Sequence, residues 1–242
     1  MYKGLSVLCI IPARAGSRGI LGKNLQDLNG RPLISYVFAN AMGCAEIDRT
    51  IVSTDSDEVA ALATDSGLDV PFRRPSALAE DHVNTIDVLL HAMDHVEQNE
   101  NHSYDVLVLM HATAPLCSSD DVSACIRLLA STGAGSVFSV AAAQRNPYFN
   151  MVEIAADGSV HLSKKGSFAT RQEAPPVYEL NSAVYAWRWE ALRKHRAVIL
   201  PDSQVFVMPK ERSIDVDDPM DLQLASLLLT QQSRRDPSHS DE

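Results

Sequence analysis

The stretch LSVLCIIPARAGSRGILGKN, residues 5–24, decides the fold class of this chain. Its first seven residues form an apolar run of strand length, and a loop with three glycines and three basic residues follows directly. In open α/β sheets, ligands bind beside the loops that follow the carboxyl ends of the strands. The stretch therefore predicts a buried first strand that carries a cationic ligand-binding loop.

Downstream of this stretch, short β-rich runs alternate with segments of helical spacing that are roughly 10 to 15 residues long. Such alternation is typical of repeated βα units, and it predicts an α/β fold with a mostly parallel sheet and helices on both faces. The predicted strands are residues 6–11, 50–53, 70–72, 106–110, 136–140, 183–187 and 205–208.

Several helices have readable boundaries. One apolar helix face comprises Leu33, Ile34, Val37, Phe38 and Ala41. The sequence SSDD at residues 118–121 is typical of a helix N-terminus, where capping hydroxyls and acidic side chains are favourable. Asp218 followed by Pro219 predicts the start of a last helix, which ends at about Gln232.

The segment 141–180 interrupts the βα rhythm. It contains Asn-Pro, Asp-Gly, Lys-Lys-Gly and Pro-Pro sequences and no helical stripe. Forty residues are long for an idle loop, so this segment predicts a hairpin-bearing lid or a dimerisation arm. We therefore expect a single domain, residues 1–232, with residues 141–180 as its inserted arm, and a flexible polar tail, residues 233–242.

The net charge of −10 argues against a nucleic-acid or membrane-surface partner, because those partners require a broad positive field. The charge is unevenly distributed, since residues 1–46 contain five basic and two acidic residues and so carry a local charge of +3. A compact basic region in an acidic protein suits a small polyanion.

Four cysteines, Cys9, Cys44, Cys117 and Cys125, form no Cys-x-x-Cys pair and no zinc-finger pattern. They predict reduced core thiols and a cytoplasmic location, because disulfides are rare in that compartment. No apolar run reaches the roughly 18 residues that a membrane span requires.

The glycine loop does not match two familiar phosphate-binding patterns. Gly16 and Gly22 enclose five residues where a P-loop has four, and Gly19 does not restore the GxGxxG spacing. The remaining feature is a group of three cations beside backbone N–H groups that glycines leave accessible, which suits a triphosphate. A surface turn with solvated cations is the alternative, and the mutual repulsion of the three charges disfavours it.

The sequence Asp215-Val216-Asp217-Asp218 precedes the last helix. Alternate residues of an extended segment point to the same side, so Asp215 and Asp217 can offer two oxygen ligands to one Mg²⁺. Asp218 is then free to cap the helix. An acidic triplet that only caps a helix is the alternative, and the triphosphate loop favours the metal site because phosphate chemistry on this fold requires a cation.

Residues 111–116, HATAPL, follow the predicted central strand. A single histidine at such a strand end is more often structural than catalytic. The sequence shows no partner acid for His111 at readable spacing and no HExxH or Ser-His-Asp pattern. Covalent hydrolase chemistry is therefore unsupported.

Six blocks of sequence carry a family resemblance. They are IPARAGSRGILGKNL at 11–25, IVSTDSDEVA at 51–60, RRPSALAEDHVNT at 73–85, HATAPL at 111–116, RQEAPPVYELNSAVYAW at 171–187 and SIDVDDPMDLQLA at 213–225. Together they resemble the CMP-sialic acid synthetases, or acylneuraminate cytidylyltransferases, over almost the whole chain. The resemblance implies a Rossmann-like nucleotidyltransferase fold and a homodimer with shared active sites. It also implies a reaction in which CTP and a nine-carbon 2-keto sugar acid give a CMP-sugar and pyrophosphate.

The same resemblance implies a set of site residues. Contacts to the CTP phosphates are implied for Arg14, Arg18, Lys23 and Asn24. Contacts to the cytidine are implied for Arg74 and Thr85, and Mg²⁺ binding for Asp215 and Asp217. The residues that fall where the family holds the sugar acid are His111, Arg171, Asn181 and Tyr185. The residues expected to act in catalysis are Arg14, Lys23 and Asp217.

The identity of the sugar is less well defined than the nucleotide. His111 stands where many sialic acid enzymes have a glutamine, and residues 146–153, NPYFNMVE, are more similar to enzymes that activate legionaminic-type acids. The resemblance favours an N-acylneuraminate or a legionaminic-type relative, with a Kdo-type cytidylyltransferase as the alternative. Two further classes remain open: a metal-dependent glycosyltransferase, which also uses an Asp-x-Asp pair, and a nucleotide-binding module without catalysis.

Overall fold

The apolar run near the N-terminus forms the predicted buried strand, β1, in a computed structural model that describes residues 2–16 and 19–235. In chain order the strands are β1 Val7–Ala13, β2 Asp27–Leu28, β3 Arg31–Pro32, β4 Arg49–Thr54, β5 Val106–Met110, β6 Ser136–Ala142, β7 Val152–Ile154, β8 Val160–Leu162, β9 Tyr178–Arg188 and β10 Gln204–Val207. The α-helices are α1 Leu33–Met42, α2 Asp57–Asp65, α3 Thr85–Asn99, α4 Ser119–Ser131, α5 Trp189–His195 and α6 Pro219–Arg235.

Strand β1 lies inside a six-stranded sheet with the order β10-β6-β9-β5-β1-β4. It pairs in parallel with β4 and β5, and β10 pairs in parallel with β6. Strand β9 runs antiparallel to both of its neighbours, β5 and β6. The sheet is therefore mostly parallel, as predicted, and the carboxyl ends of β1, β4 and β5 lie at one edge, where such sheets bind ligands.

Helices pack on both faces of this sheet, which confirms the predicted layers. On one face, α1 and α4 contribute Phe38 and Ile126 to a buried cluster with β1. On the other face, α3 contributes Leu89, and Trp189 and Leu192 come from α5. Each such apolar side chain contributes roughly 1.5–3 kcal/mol on leaving water, so the two layers fix the sheet edge from which the loops emerge.

The predicted helix starts are present. The apolar face predicted within residues 33–41 is buried in α1, and Ser118 and Asp121 form a capping box at the start of α4. Asp218 caps α6 as predicted, because its carboxylate accepts hydrogen bonds from the N–H groups of Met220 (2.7 Å) and Asp221 (3.0 Å). None of the helices in the described ranges is long and apolar enough to cross a membrane.

One predicted strand is absent, and the predicted end of the last helix was wrong. Residues 70–72 form no strand, because Asp69 alone bridges to β4 and Pro71 has no N–H with which to continue the ladder. The last helix continues past Gln232 to Arg235, since no glycine or proline interrupts it before Pro237. Residues 233–235 of the predicted flexible tail are therefore helical, and its residues 236–242 lie outside the described residues.

The inserted arm contains the predicted hairpin, whose strands β7 and β8 pair antiparallel in a two-stranded sheet of their own. Its base is shorter than the predicted segment 141–180. Strand β6 continues to Ala142 and β9 begins at Tyr178, and these two residues pair in the main sheet. Residues 143–177 thus form the part of the arm that lies beyond the main sheet.

Candidate active site

A cleft with a volume of about 350 Å³ lies at the carboxyl ends of β1 and β5, beside the start of α3. The predicted site residues that line it are Arg14, Lys23, Asn24, Arg74, Thr85, His111 and Asp217. Arg18 lies outside the described residues. Residues from both ends of the chain therefore meet in one cavity, because β1 and β5 are neighbours in the sheet and the segment that carries Asp217 is hydrogen-bonded to Thr113 after β5.

The glycine loop approaches the aspartate segment through a close backbone contact. A β-carbon at Gly19 would overlap the carbonyl oxygen of Asp217, so glycine is required for this approach. Gly22 has a φ of +62°, a left-handed conformation that also favours glycine. These two glycines allow the cationic loop to pack against the predicted metal-binding residues.

Both described cations of the loop form ion pairs at the cleft. The Arg14 guanidinium pairs with Asp81, and the Lys23 Nζ atom lies 2.9 Å from a carboxylate oxygen of Asp217. Asn24 donates a hydrogen bond to the backbone carbonyl of Arg14 (3.0 Å), which fixes the two ends of the loop to each other. The Asp217 side chain is 74% exposed, so its ion pair with Lys23 contributes little to stability. A ligand anion can therefore replace Asp217 as the partner of Lys23 at low cost.

Arg74 is a buried cation at the wall of the cleft. Its guanidinium donates hydrogen bonds to the hydroxyl (3.1 Å) and to the backbone carbonyl of Ser53. Burial lowers the pKa of Arg74 to about 10, the Asp55 carboxylate opposes this shift, and the charge of Arg14 adds to it. The guanidinium is therefore charged at neutral pH but poorly solvated, which favours an electron-rich ligand group beside it.

Thr85 is the first residue of α3 and lines the cleft together with Arg74. The preceding residue, Asn84, caps this helix by accepting a hydrogen bond from the Ile86 N–H (2.9 Å). The positive end of the α3 dipole is therefore close to the same wall, where it favours ligand groups that carry negative charge or lone pairs.

Asp215 is held in place by Thr113, the third residue after β5. Its carboxylate accepts a hydrogen bond from the Thr113 hydroxyl (2.5 Å). The Thr113 carbonyl accepts a second hydrogen bond, from the Val216 N–H (2.8 Å). Burial raises the pKa of Asp215, the Thr113 hydroxyl opposes this shift, and the charge of Asp217 adds to it.

The aspartate pair suits a divalent cation. Burial is the main cause of the raised pKa of Asp215 and repulsion by Asp217 is a smaller one, and a positive charge beside the pair would offset both. Carboxylate oxygens are also ligands that Mg²⁺ prefers. No group of three or more His, Cys, Asp or Glu side chains suited to a metal occurs within residues 2–16 and 19–235. A Mg²⁺ ion held here would complete its coordination with water and substrate phosphates, as this ion commonly does.

His111 lines the cleft next to the end of β5. Its Nε2 atom is buried and has no hydrogen-bond partner in the part of the chain that the structure describes. Tyr185 packs edge-on against the imidazole, with 5.1 Å between the ring centroids. Burial lowers the pKa of His111 to about 4, so the ring is neutral at pH 7 and can offer one hydrogen bond to a ligand.

Asn181 and Arg171 do not line this cleft. Asn181 is buried, accepts a hydrogen bond from the Ser139 hydroxyl (2.6 Å) and donates one to the Ser213 hydroxyl (2.9 Å). Arg171 is exposed on the arm, where it donates a hydrogen bond to the carbonyl of Ala143 (2.8 Å). The amide of Asn181 is thus engaged with protein atoms, and the guanidinium of Arg171 is hydrogen-bonded to Ala143 and is not part of its own chain's cleft.

The sequence analysis missed three polar residues of the cleft: Thr113, Glu80 and Asp81. Thr113 could have been found, because it belongs to the HATAPL block directly after the central strand. The two acidic residues belong to the RRPSALAEDHVNT block at 73–85, but nothing in that block indicates the ion pair of Asp81 with Arg14, which joins positions 67 residues apart. Only the folded chain brings these charges together.

Residues 8–211 match the model of a protein family described as "Cytidylyltransferase". The chain is 32% identical to the "Post-translational flagellin modification protein B" of Campylobacter coli, over 94% of this chain and 96% of that protein. It is also 32% identical to the "CMP-N,N'-diacetyllegionaminic acid synthase" of Campylobacter jejuni, over 93% of this chain and 95% of that protein.

A solved structure of a CMP:2-keto-3-deoxy-manno-octonic acid synthetase complexed with CTP is similar in fold. The TM-score is 0.69 at 19% sequence identity, and the similarity covers 94% of this chain and 99% of that chain. At this level of identity the likeness concerns the fold alone, and it confirms the predicted fold class.

Proposed function

We propose, given that this chain belongs to the cytidylyltransferase family, that it joins CTP and a nonulosonic (sialic-type) acid to give a CMP-sugar and pyrophosphate. The sugar acid that we propose is an N-acylneuraminate or a legionaminic-type relative. The name of the Campylobacter jejuni relative and the NPYFNMVE sequence at residues 146–153 both favour the legionaminic-type acid.

The observation that carries this proposal is that Arg14, Lys23 and Asp217 line one cleft, with the Asp215 carboxylate hydrogen-bonded to Thr113 of its lining. Nucleotidyl transfer depends mainly on alignment of the reactants and neutralisation of phosphate charge. A site that offers fixed cations and a cation-binding carboxylate pair meets both needs without a covalent enzyme intermediate.

In the proposed reaction, the anomeric hydroxyl of the sugar acid attacks the α-phosphorus of CTP. A new O–P bond forms, the bond from the α-phosphorus to the α,β-bridging oxygen breaks, and the hydroxyl gives its proton to solvent water. Pyrophosphate leaves with the electron pair of the broken bond, and Arg14 and Lys23 stabilise its charge. Arg74 and Thr85, at the other wall of the cleft, bind the cytidine.

Triphosphate binding exchanges the ion pairs of the cleft. Lys23 turns from Asp217 to a phosphate, and Arg14 turns from Asp81 in the same way. This exchange leaves the Asp217 carboxylate available to a cation, so that nucleotide and metal bind in concert. Asn24, which is bonded to the Arg14 carbonyl, keeps the loop in position throughout.

We assign Mg²⁺ binding to Asp215 and Asp217. When bound, this ion neutralises phosphate charge and aligns the triphosphate. The role of the chain is to keep Asp215 oriented through Thr113 and to present Asp217 from the exposed end of the segment. The cleft remains acidic at Glu80 and Asp81, which further favours a cation beside the triphosphate.

We further propose a homodimer in which the arm of each chain completes the partner's site. The exposed apolar side chains of the arm include Met151, Val152, Ile154 and Val160. A patch of this kind usually marks an association surface. Arg171 lies on the same arm, outside its own chain's cleft, and it is our candidate clamp for the sugar carboxylate in the partner's site.

The cysteines support a cytoplasmic location for this reaction. All four are free thiols in the interior of the protein. Burial strongly raises the pKa of Cys9, with the neighbouring Cys44 as a smaller cause, so this thiol stays protonated and unreactive. Unpaired core thiols are typical of proteins from reducing compartments.

The test is pyrophosphate release from CTP with a panel of sugar acids: N-acetylneuraminic, Kdn, legionaminic, pseudaminic and Kdo. We expect release only when CTP, Mg²⁺ and one of the nonulosonic acids are all present, with formation of the CMP-sugar. If Kdo were the only sugar acid of the panel that supports pyrophosphate release, the result would favour the Kdo-type alternative. CTP binding without turnover across the whole panel would contradict the proposal and favour a non-catalytic nucleotide-binding module.

A further inference from the structure

Strand β9 is distorted where it carries Asn181. Its pairing with β6 changes register at Ser139, which alone faces residues 181–184 of β9. The Ser139 hydroxyl fills this bulge by donating a hydrogen bond to the side-chain oxygen of Asn181 (2.6 Å) and accepting one from the Val184 N–H (2.9 Å). Bulges are specific features of a fold, and they often re-aim a side chain next to an active site. The bulge here holds the amide of Asn181 in the interior of the protein.

The amide nitrogen of Asn181 has two partners in the protein. It donates hydrogen bonds to the Ser213 hydroxyl (2.9 Å) and to the sulfur of Met208 (3.2 Å). The Ser213 hydroxyl gives its own proton to the carbonyl of Pro209 (2.8 Å), so it can only accept from Asn181. These directions fix the orientation of the amide and use both of its N–H donors.

Ser213 opens the segment, residues 213–217, that carries the aspartate pair. The later part of this segment is held by Thr113, whose hydroxyl donates to Asp215 and whose carbonyl accepts a backbone N–H of the segment. The beginning of the segment is held by the hydrogen bond from Asn181. Thr113 follows β5 and Asn181 lies on β9, and these two strands pair in the sheet. Two neighbouring strands therefore anchor the aspartate segment, one towards each end.

We propose that Asn181 is a positioning residue that acts through Ser213 to hold the aspartate segment in place for a divalent cation. A segment tied only at Thr113 would be free to pivot there, and a second tie on a strand of the sheet removes that freedom. Hydrogen bonds outside the ligands themselves commonly set metal affinity in this way. The inference rests on the proposed metal binding by the aspartate pair, and it gives Asn181 a role other than the sugar contact that the resemblance implies.

The chemistry of the buried amide supports this role. Burying an amide costs free energy unless its polar groups are hydrogen-bonded. An apolar side chain of similar size could fill the same space in the bulge, but it could not donate to Ser213. The amide is therefore suited to linking the bulge to the aspartate segment, and not only to filling the interior.

The test measures metal binding by full-length Ser213→Ala and Asn181→Ala. With Mn²⁺ as the probe and CTP present, water-proton relaxation measures formation of the protein-bound Mn²⁺ complex. We expect each variant to weaken Mn²⁺ binding about tenfold, the lower end of the loss that follows removal of an outer hydrogen-bond partner of a metal ligand. The double variant should bind little worse than either single variant, because both changes remove the same hydrogen bond.

Steady-state kinetics separate positioning from a direct sugar contact. At saturating Mg²⁺, the KM for the sugar acid should stay within about twofold of the wild type in both variants, because neither side chain contacts the sugar in this proposal. The Mg²⁺ concentration that gives half-maximal pyrophosphate release should rise instead. A residue that binds the sugar directly would give the opposite pattern.

Ser136→Ala is the matched control. Ser136 is buried at the start of β6, and its hydroxyl shares a hydrogen bond with the Ser203 hydroxyl (2.6 Å). The variant loses a buried hydroxyl from the strand that carries Ser139 without a change to the aspartate segment, so Mn²⁺ binding should equal that of the wild type. Melting temperatures of all variants show whether lost stability alone accounts for lost binding.

The inference is overturned if folded Ser213→Ala binds Mn²⁺ within about twofold of the wild type. It is also overturned if Ser136→Ala weakens binding equally, or if Asn181→Ala raises only the KM for the sugar acid. Asp215→Asn separates this inference from the proposed function. If Asp215→Asn weakens Mn²⁺ binding and Ser213→Ala does not, only the role of Asn181 fails; if neither does, the proposed metal site fails as well.

Discussion

Arg14 and Asp217 reach the cleft from segments anchored on the central sheet, whereas Arg171 lies on an arm that extends away from it. On the first side, the residues that we propose to contact CTP and that the structure describes all line the cleft of one chain. On the second side, His111 is present in the cleft, but the proposed carboxylate clamp is not.

This difference teaches which half of the site one chain can assemble alone. Neighbouring parallel strands bring the loops that follow them to one edge, so on our proposal one chain assembles the nucleotide side when the sheet forms. The hairpin of the arm forms a two-stranded sheet apart from the main one, and its apolar side chains are exposed in the described part of the chain. If the sugar side needs a second chain, changes on the two sides should differ in whether another subunit can rescue them.

The largest effect is expected for Asp217→Asn. The protein should fold normally, because Asp217 is exposed, but kcat should fall by at least about 10²–10³, the loss typical of one preorganised electrostatic contact. Steady-state pyrophosphate release at modest Mg²⁺ measures this. The matched control is Asp218→Asn, since asparagine caps a helix as well as aspartate does and near wild-type turnover is expected. Near-normal turnover by folded Asp217→Asn would contradict the proposed metal-binding role of Asp217.

The next effect concerns the loop cations. Arg14→Ala and Lys23→Ala should each raise the KM for CTP about 10- to 100-fold, since each removes a charge-assisted contact worth about 1.5–3 kcal/mol. The KM for the sugar acid should change far less. Arg73→Ala is the control, because Arg73 is exposed and pairs with Asp57 outside the cleft. A loop variant with a raised KM only for the sugar acid would show that the loop binds the sugar acid rather than CTP.

Subunit mixing tests the comparison directly. Asp217→Asn and Arg171→Ala, each inactive alone, should regain roughly a quarter of wild-type activity when mixed. Random exchange makes about half of the dimers mixed, and each mixed dimer has one intact site of two. Mixed dimers that are isolated by dual tags after co-expression should instead show about half of the wild-type activity, because each of them has one intact site of two.

Mixing Asp217→Asn with Arg14→Ala is the control for that experiment. Both residues line the cleft of the same chain, so each site of a mixed dimer carries one defect, and activity should not exceed the mean of the two variants assayed alone. If verified mixed dimers of Asp217→Asn and Arg171→Ala are also inactive while both variants fold, Arg171 serves its own chain and the shared site is wrong.

The smallest effect concerns His111 and pH. Burial lowers the pKa of His111 to about 4, below its value of about 6.5 in the unfolded chain. The unfolded state therefore binds the proton first, and the stability that depends on neutral His111 is complete above pH 6.5 and lost as the pH falls towards 4. At pH 5.5 the cost is about 1 kcal/mol.

We expect His111→Gln to remove this component of the acid sensitivity. Urea unfolding at pH 7.5 and pH 5.5 measures it, because the free energy of unfolding of the wild type should fall by about 1 kcal/mol more than that of the variant. Equal losses in both proteins would show that the imidazole is not kept neutral by burial.

The elements that sequence predicted best are those set by local pattern. The apolar face of α1 and the caps of α4 and α6 depend on residues within one or two helical turns, and all of them are present. The failed strand at residues 70–72 shows the limit of this reasoning. Its residues have strand character, but Pro71 cannot extend a ladder that only Asp69 joins.

Features that depend on distant pairs could not be read from the sequence. The antiparallel direction of β9 and its bulge at Ser139 arise from pairing with two strands at once. The hydrogen bond between Thr113 and Asp215 joins residues 102 positions apart. Motifs identified the separate parts of the site, whereas the contacts that orient those parts follow from the fold.

The contact at Gly19 has a consequence for sequence variation. Gly19 has no functional group, yet a single added methyl group would overlap the carbonyl oxygen of Asp217 and push the glycine loop away from the aspartate segment. Directed evolution that seeks a new sugar specificity can vary the arm outside Arg171 and the apolar hairpin, but a library that includes position 19 is expected to lose the proposed use of CTP at the substitutions there. Tolerance to mutation at this position is therefore set by the space between two backbones rather than by chemistry.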